Sequence, residues 1–242
     1  MSDVLLTERR DRVLIMTLNR PDQRNALNSE LSAALVAALA ELDGDDGLTA
    51  GVLAANGSNF CAGMDLKEFA TKGPPAGLGP IFEKGCEKPL IGAVHGPVYA
   101  GGFELALVCD LLVAADDAKF GVPEVKRGLL AAGGALVRLP ARLPYSVAME
   151  LALTGDPIDA QEAKTHGLVS DVVAKDELVD AAIALAERIA VNAPLSIAAS
   201  KQMIRNSIGR TEAEGWAEQG PLAGKIFSSK DSIEGSVAFA EK

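Results

Sequence analysis

The stretch Lys88–Ala115, KPLIGAVHGPVYAGGFELALVCDLLVAA, decides the fold class. Leu90 to Val94 and Leu111 to Ala115 are short, nearly unbroken apolar runs, as expected for strands buried on both faces. Between them, Gly101 to Cys109 reads as a helix opened by two glycines. A strand, a helix and a second strand in so few residues make a crossover unit, and repetition of such units gives an α/β fold. Upstream, Gly51 to Ala55 is another apolar run of this kind. Leu31, Ala34, Leu35, Ala38, Leu39 and Leu42 fall at steps of three and four behind the candidate N-caps Asn28 and Ser29, so Ser29 to Leu42 is predicted to be an amphipathic helix.

Working outward, Val4 to Glu8 and Arg12 to Leu18 flank the charged Arg9-Arg10-Asp11 and suit a hairpin. Helical stretches are expected at Gly133 to Arg142, at Ser146 to Thr154, and from a cap at Asp159 to His166, where Gly167 supplies a left-handed stop. Residues 1–174 thus read as an α/β domain. From Lys175 onward the pattern is helical, with segments Glu177 to Val191, Pro194 to Ile208, Thr211 to Phe227 and Lys230 to Glu241. Residues 175–242 read as a second module, too small for its own large core, whose apolar faces should pack on the first domain or on another subunit. GPPAGLGP at Gly73 to Pro80 is expected to be a mobile loop. Trp216 and Tyr145 are expected to be packing residues.

Composition narrows the function. The chain has 242 residues, 48% of them hydrophobic and only 4% aromatic, so small aliphatic side chains must fill the core. A net charge of -10 argues against a nucleic-acid partner, which needs clustered cations. A small anion remains possible through local cations such as Arg24 and Lys67. Cys61, Cys86 and Cys109 form neither a CxxC pair nor an even disulfide framework and read as reduced thiols. The N-terminus has no signal-peptide pattern and no run is long enough to span a membrane, so the cytosol is the expected location. His95 and His166 have no companion ligands at metal spacing and read as structural, and no metal is expected.

Two glycine-rich turns carry the chemistry. In Asn59–Asp65, NFCAGMD, Gly63 frees the backbone so that the Met64 N–H can point away from the sheet. In Tyr99–Glu104, YAGGFE, two glycines open a helix whose first N–H groups lack intrahelical partners. Two such donors converging on one point would bind an oxyanion, although spacing alone leaves their convergence open. Glu104 and Glu124 are candidate acid/base groups. Each also has a plain reading, as helix-dipole compensation and as a surface acid.

These motifs together resemble the crotonase (enoyl-CoA hydratase/isomerase) superfamily over nearly the whole chain. The matching pieces are LNRPDQRNALN (Leu18–Asn28), FCAGMDLKEF (Phe60–Phe69), Lys88–Ala115, AKFGVPEVKRGL (Ala118–Leu129), LTGDPIDAQEAKTHGLV (Leu153–Val169) and IEGSVAFAEK (Ile233–Lys242). The resemblance implies a spiral of ββα units with a C-terminal helical oligomerisation region, assembling as a homotrimer or a dimer of trimers. It implies an acyl-CoA substrate whose thioester oxygen is held by the N–H groups of Met64 and Gly101. Glu104 would activate water and Glu124 would deliver a proton to the α-carbon. Gly102, whose N–H is not the implied donor, would serve as a neutral neighbour.

For the CoA end, the resemblance implies Arg24 near phosphate, the carbonyls of Ala26 and Ala62 accepting from adenine, and Asp65, Leu66 and Lys67 lining the same region. Phe239 and Lys242 would complete the pocket, commonly from a neighbouring subunit. CoA is then part of the substrate, with no separate cofactor. The segment between Asp65 and Pro89 is short, and Ala131 stands where many relatives have proline, so the acyl pocket does not carry over. CAGMDLK, AGGFELAL and GGALVRLPARLP look most like a bacterial subgroup that includes steroid side-chain hydratases and carnitinyl-CoA dehydratases. The competing readings are a double-bond isomerase, a non-catalytic acyl-CoA binder, and an RNA-binding branch that the acidic charge disfavours.

Overall fold

The computed structural model describes residues 3–240. β1 (Leu5–Arg10) and β2 (Val13–Leu18) form an antiparallel hairpin, followed by α1 (Ser29–Gly44) and β3 (Ala50–Ala55). Then come α2 (Leu66–Lys72), α3 (Leu78–Lys84), β4 (Leu90–Val94), β5 (Pro97–Tyr99), α4 (Gly101–Val108), β6 (Leu111–Ala115) and β7 (Lys119–Gly121). A 3-10 turn at Pro123–Arg127 leads to α5 (Ala135–Arg142), α6 (Tyr145–Thr154), β8 (Ile158–Asp159), α7 (Ala160–Thr165) and β9 (Asp171–Val173). Four helices close the chain: α8 (Leu178–Ala190), α9 (Pro194–Ser207), α10 (Glu212–Phe227) and α11 (Lys230–Ala240).

The main sheet runs β1-β2-β3-β4-β6-β9, parallel from β2 onward, and β5-β7-β8 form a small second sheet. Two apolar layers explain the unbroken runs. Leu14, Met16, Leu18, Leu53, Leu90, Val94, Leu112 and Ala114 pack with α1 and α4 on one side. Val13, Ile15, Ala50, Val52, Ala54, Ile91, Ala93, Val113 and Ala115 face the other side, against Leu178, Ala182, Ile183, Ala186 and Ala190 of α8. Alternate residues therefore go to opposite layers, and both layers are buried. α8 thus packs on the α/β sheet, whereas among the described residues α9 to α11 hold none that is buried in the isolated chain.

Local chemistry sets the element ends. The Asn28 carboxamide caps α1 by accepting from Leu31 N–H at 2.9 Å. Asp159 and Glu162 form a reciprocal capping box on α7, and Gly167 follows with φ 79°.

Two expectations are corrected. Part of GPPAGLGP is helical, because Gly77 at φ 90° starts α3 and Pro80 lies in its first turn, where a missing N–H costs nothing. Trp216 and Tyr145 do not pack within the chain. They are 64% and 72% exposed, since helical periodicity places an aromatic on a face without saying what covers that face.

Candidate active site

Backbone geometry brings the two glycine turns together. Leu27 N–H donates to Gly63 O at 2.8 Å and Asp65 N–H donates to Leu27 O at 2.9 Å, a single parallel bridge. In extended chain successive N–H groups alternate sides, so the Met64 N–H faces away from Leu27. On that side lies the start of α4. The Gly101 nitrogen is 3.1 Å from where a Cβ on Gly63 would stand, and the Met64 nitrogen is 3.4 Å from where a Cβ on Gly101 would stand. Neither N–H has a hydrogen-bond partner among the described residues.

The turn into α4 is strained. Ala100, its N-cap, has φ 52° and ψ -131°, a conformation that costs a non-glycine residue about 1–3 kcal/mol. Its N–H donates to Gly121 O at 3.1 Å, so β7 helps hold the turn in place. No signal in the sequence marks Ala100, because alanine is the least informative residue for such a position.

Glu104 stands one turn into α4 and is 4% exposed. Its Oε1 accepts from Ala135 N–H at 3.2 Å. Burial pushes its carboxyl above the ordinary range, while the Ala135 and Gly133 N–H groups and the Arg138 charge pull the other way. A Cβ on Gly133 would lie 2.5 Å from Glu104 Oε2 and 2.9 Å from the Phe82 ring, so any larger residue here must move one of these side chains. Glu124 opens the 3-10 turn at Pro123–Arg127. Burial raises its carboxyl and the Glu104 charge raises it further, and its Oε2 is buried with no hydrogen-bond partner. The two acids are therefore electrostatic neighbours: Glu104 takes N–H groups from outside its helix, whereas Glu124 is bonded by its own backbone N–H and keeps one buried oxygen without a partner.

The segments carrying Arg24 and Ala26 and carrying Ala62, Asp65, Leu66 and Lys67 run side by side. Ala62 N–H donates to Arg24 O at 3.0 Å, which joins the Arg24–Leu27 turn to the 61–65 segment. Arg24 and Lys67 are exposed, as a phosphate ligand must be. The Ala26 carbonyl also accepts a hydrogen bond from Arg20 Nη1, leaving its second lone pair, and Asp65 is tied to Arg20 and caps α2. Phe239 is 83% exposed on α11, with no link to these segments within the chain, and Lys242 lies outside the described residues. Arg20, Gly133 and Ala135 went unmarked in the sequence, because nothing local distinguishes an arginine that bonds a distant turn or an N–H that meets a distant carboxylate.

Gly102 is not a neutral neighbour. A Cβ on it would sit 2.0 Å from the carbonyl oxygen of Cys61. His95 Nε2 lies 3.0 Å from Gly57 O and joins two loops. No single helix among the described residues is long and apolar enough to cross a membrane.

Residues 8–242 match the family model described as enoyl-CoA hydratase/isomerase. Enoyl-CoA hydratase EchA19 of Mycobacterium tuberculosis is 40% identical, covering 98% of this chain and 93% of its own. The 2,3-dehydroadipyl-CoA hydratase of Escherichia coli is 38% identical, over 98% and 96%. The carnitinyl-CoA dehydratase of Proteus mirabilis is 36% identical, over 100% and 97%. Among solved structures, an enoyl-CoA hydratase from M. tuberculosis superposes with a TM-score of 0.93 at 49% identity, covering 99% of this chain and 96% of that one. With six matching segments in order, a shared fold and two converging backbone donors near a buried and a half-buried carboxyl, this chain belongs to the enoyl-CoA hydratase/isomerase family of the crotonase superfamily.

Proposed function

We propose that the protein hydrates a 2-enoyl-CoA thioester by syn addition, giving the 3-hydroxyacyl-CoA, or runs the reverse dehydration. The observation that carries this reading is the pair of partnerless N–H groups, on Met64 and Gly101, set close together beside two coupled carboxyls. Hydration needs one group to take a proton from water and another to give one to carbon, while negative charge develops on the thioester oxygen.

The environments divide these tasks. Like charges in proximity resist double ionisation, so the pair retains one proton more readily than two isolated acids would. Glu104, supplied with two N–H donors and a facing arginine, is the better ionised member. Glu124, with a bare buried oxygen, is the better proton carrier. Glu104 then deprotonates water as its oxygen bonds to the β-carbon. Electron density moves to the thioester oxygen, held by Met64 and Gly101, and Glu124 protonates the α-carbon. No group beyond the substrate's own CoA is required.

Arg24, the exposed Lys67 and the carbonyls of Ala26 and Ala62 are the proposed contacts for the CoA nucleotide, with Asp65 and Leu66 shaping that side and Phe239 and Lys242 closing it from a neighbouring subunit. A homotrimer, or a dimer of trimers, would supply that neighbour and would cover Ile204, Trp216, Phe227 and Ile233, all exposed in the isolated chain. The free cysteines are buried, and burial pushes the Cys61 and Cys86 thiols up to about 12, which suits a reducing cytosol.

Glu104→Gln and Glu124→Gln test the reading. Each should cut turnover of crotonyl-CoA, followed by loss of its conjugated thioester absorbance, by at least about 100-fold, the scale of a lost general acid or base. Near-parental turnover in either variant would remove that glutamate from the mechanism.

A further inference from the structure

The loop that carries Met64 is held by a buried clamp whose centre is Arg20. Its Nη1 donates to Ala26 O, and its Nη2 meets Asp65 Oδ2 at 3.1 Å, with side chains 12% and 17% exposed. A backbone bond adds to this, because Arg20 N–H donates to Asn25 Oδ1 at 2.8 Å. Asn25 is fully buried, with φ 55°, and its Nδ2 donates to Asn56 O and Asn59 O at 2.8 Å each. The 20–27 turn is thereby rooted in the loop that follows β3. Asp65 works in the opposite direction. Its N–H donates to Leu27 O, and its Oδ1 accepts Glu68 N–H at 3.3 Å at the start of α2. Glu68 in turn accepts Ser29 N–H at 3.1 Å, so α2 is docked on the N-terminus of α1.

Met64 stands between these fixed points. A peptide unit is planar, so the Gly63 carbonyl and the Met64 N–H point in opposite directions within one rigid plate. Leu27 N–H holds the Gly63 carbonyl, and the direction of the Met64 N–H follows from it. The guanidinium reinforces the backbone bonds that keep Leu27 in register with residues 63–65, because it grips the residue before Leu27 and the residue after Met64 at once. Only a planar fork spans two acceptors this way, and a lysine ammonium is a point charge on a flexible stem. Burial opposes ionisation of Asp65, yet the Arg20 hydrogen bond, the Glu68 N–H and the Arg20 charge hold its carboxyl below the usual range, so the clamp is ionic at neutral pH.

We propose that Arg20 is a positioning residue for the hydration step, setting the aim of the Met64 N–H at the thioester oxygen through Ala26 and Asp65. The inference rests on the oxyanion role of Met64. Arg20 is proposed to act through these groups and not on substrate, so its loss should slow the chemical step by more than it weakens the hold on CoA.

The test compares the full-length parent with Arg20→Met, Arg20→Lys, Asp65→Asn and the Arg20→Met/Asp65→Asn double variant. Measurements are kcat and KM on crotonyl-CoA, the Kd of free CoA, and the red-shift of a donor-substituted cinnamoyl-CoA on binding. That shift reports polarisation of the thioester carbonyl directly. Arg20→Met should lower kcat by about 10- to 100-fold, part of the roughly 100- to 1000-fold loss when an oxyanion donor is removed outright. Its Kd for CoA should rise by less than its kcat falls, since Arg20 also holds Ala26 and Asp65 on the CoA side, and its red-shift should shrink. Arg20→Lys should fall between, and the double variant should be no worse than the poorer single, as coupled residues require.

Parental kcat and red-shift in folded Arg20→Met would overturn the proposal, as would a loss confined to KM and to Kd for CoA. Should Arg20→Met fail to fold, Arg20→Lys and Asp65→Asn decide the matter by the same kcat and red-shift criteria. A parent that neither turns over enoyl-CoA nor shifts the probe would instead defeat the hydratase reading.

Discussion

Gly101 and Gly102 are adjacent in sequence, and the structure gives them opposite sensitivities to one methyl group. On Gly102, a Cβ would lie 2.0 Å from Cys61 O, 2.6 Å from Cys61 C and 2.9 Å from Cys61 Cβ. Carbon and oxygen touch at about 3.3 Å, so one backbone would have to retreat by roughly 1.3 Å. Neither retreats cheaply. Cys61 is fully buried and bridges to Val98, while α4 is buried from Gly102 through Val108. Overpacking of this kind costs typically about 1–3 kcal/mol, and two rigid backbones put Gly102→Ala at the upper end, about 3 kcal/mol. For a chain of this size, about 2–4 °C per kcal/mol, the melting temperature should fall by roughly 6–12 °C. On Gly101, by contrast, the nearest atoms to a new Cβ are Gly63 Cα and Met64 N at 3.4 Å, which is ordinary contact. Gly101→Ala should melt close to the parent but place its methyl where an oxygen bound to Met64 N–H must sit, lowering turnover by about 100-fold. Thermal melts by circular dichroism at one protein concentration, with initial rates on crotonyl-CoA, separate the two effects. A Gly102→Ala protein that melts within about 1 °C of the parent, or a folded Gly101→Ala protein of parental activity, would refute the packing argument or the oxyanion argument respectively.

The glutamate amides should gain stability as they lose activity. Both carboxyls are raised in the folded state, so each contributes fully only below the ordinary carboxylate range and loses that contribution as pH rises through its folded value. Glu104→Gln and Glu124→Gln should therefore melt above the parent at pH 7.5, and the advantage should vanish below about pH 4; a melting temperature below the parent at pH 7.5 would contradict the burial argument. Gly133→Ala should displace the Glu104 carboxylate and reduce kcat, read from initial rates, and a parental kcat would show that the carboxylate has room to move. Light scattering at micromolar concentration should give a mass of three or six chains, and a stable monomer would contradict the shared CoA pocket.

Much of this architecture was already legible in the chain. Gly51–Ala55, Leu90–Val94 and Leu111–Ala115 are so uniformly apolar that burial on both faces suits them best, and burial on two faces calls for helices on both sides of a parallel sheet. Caps at Asn28 and Asp159 and the stop at Gly167 are local events, governed by a side chain and the backbone within a few residues, so sequence suffices for them. Gly63 and Gly101 also announced themselves, because freedom of the backbone is a property of the residue. The tertiary structure alone decided what lies across from each. That the Met64 and Gly101 nitrogens face one space depends on the 27–64 bridge, contacts between residues 37 apart in the chain. That Glu104 has donors from outside its own helix while one oxygen of Glu124 has no partner depends on Ala135 N–H, at the start of α5, 31 residues downstream. Arg20, Gly133 and the strained Ala100 stayed silent for the same reason: their importance lies in the distances to atoms remote in sequence, and the order of residues encodes distance only through the fold it produces.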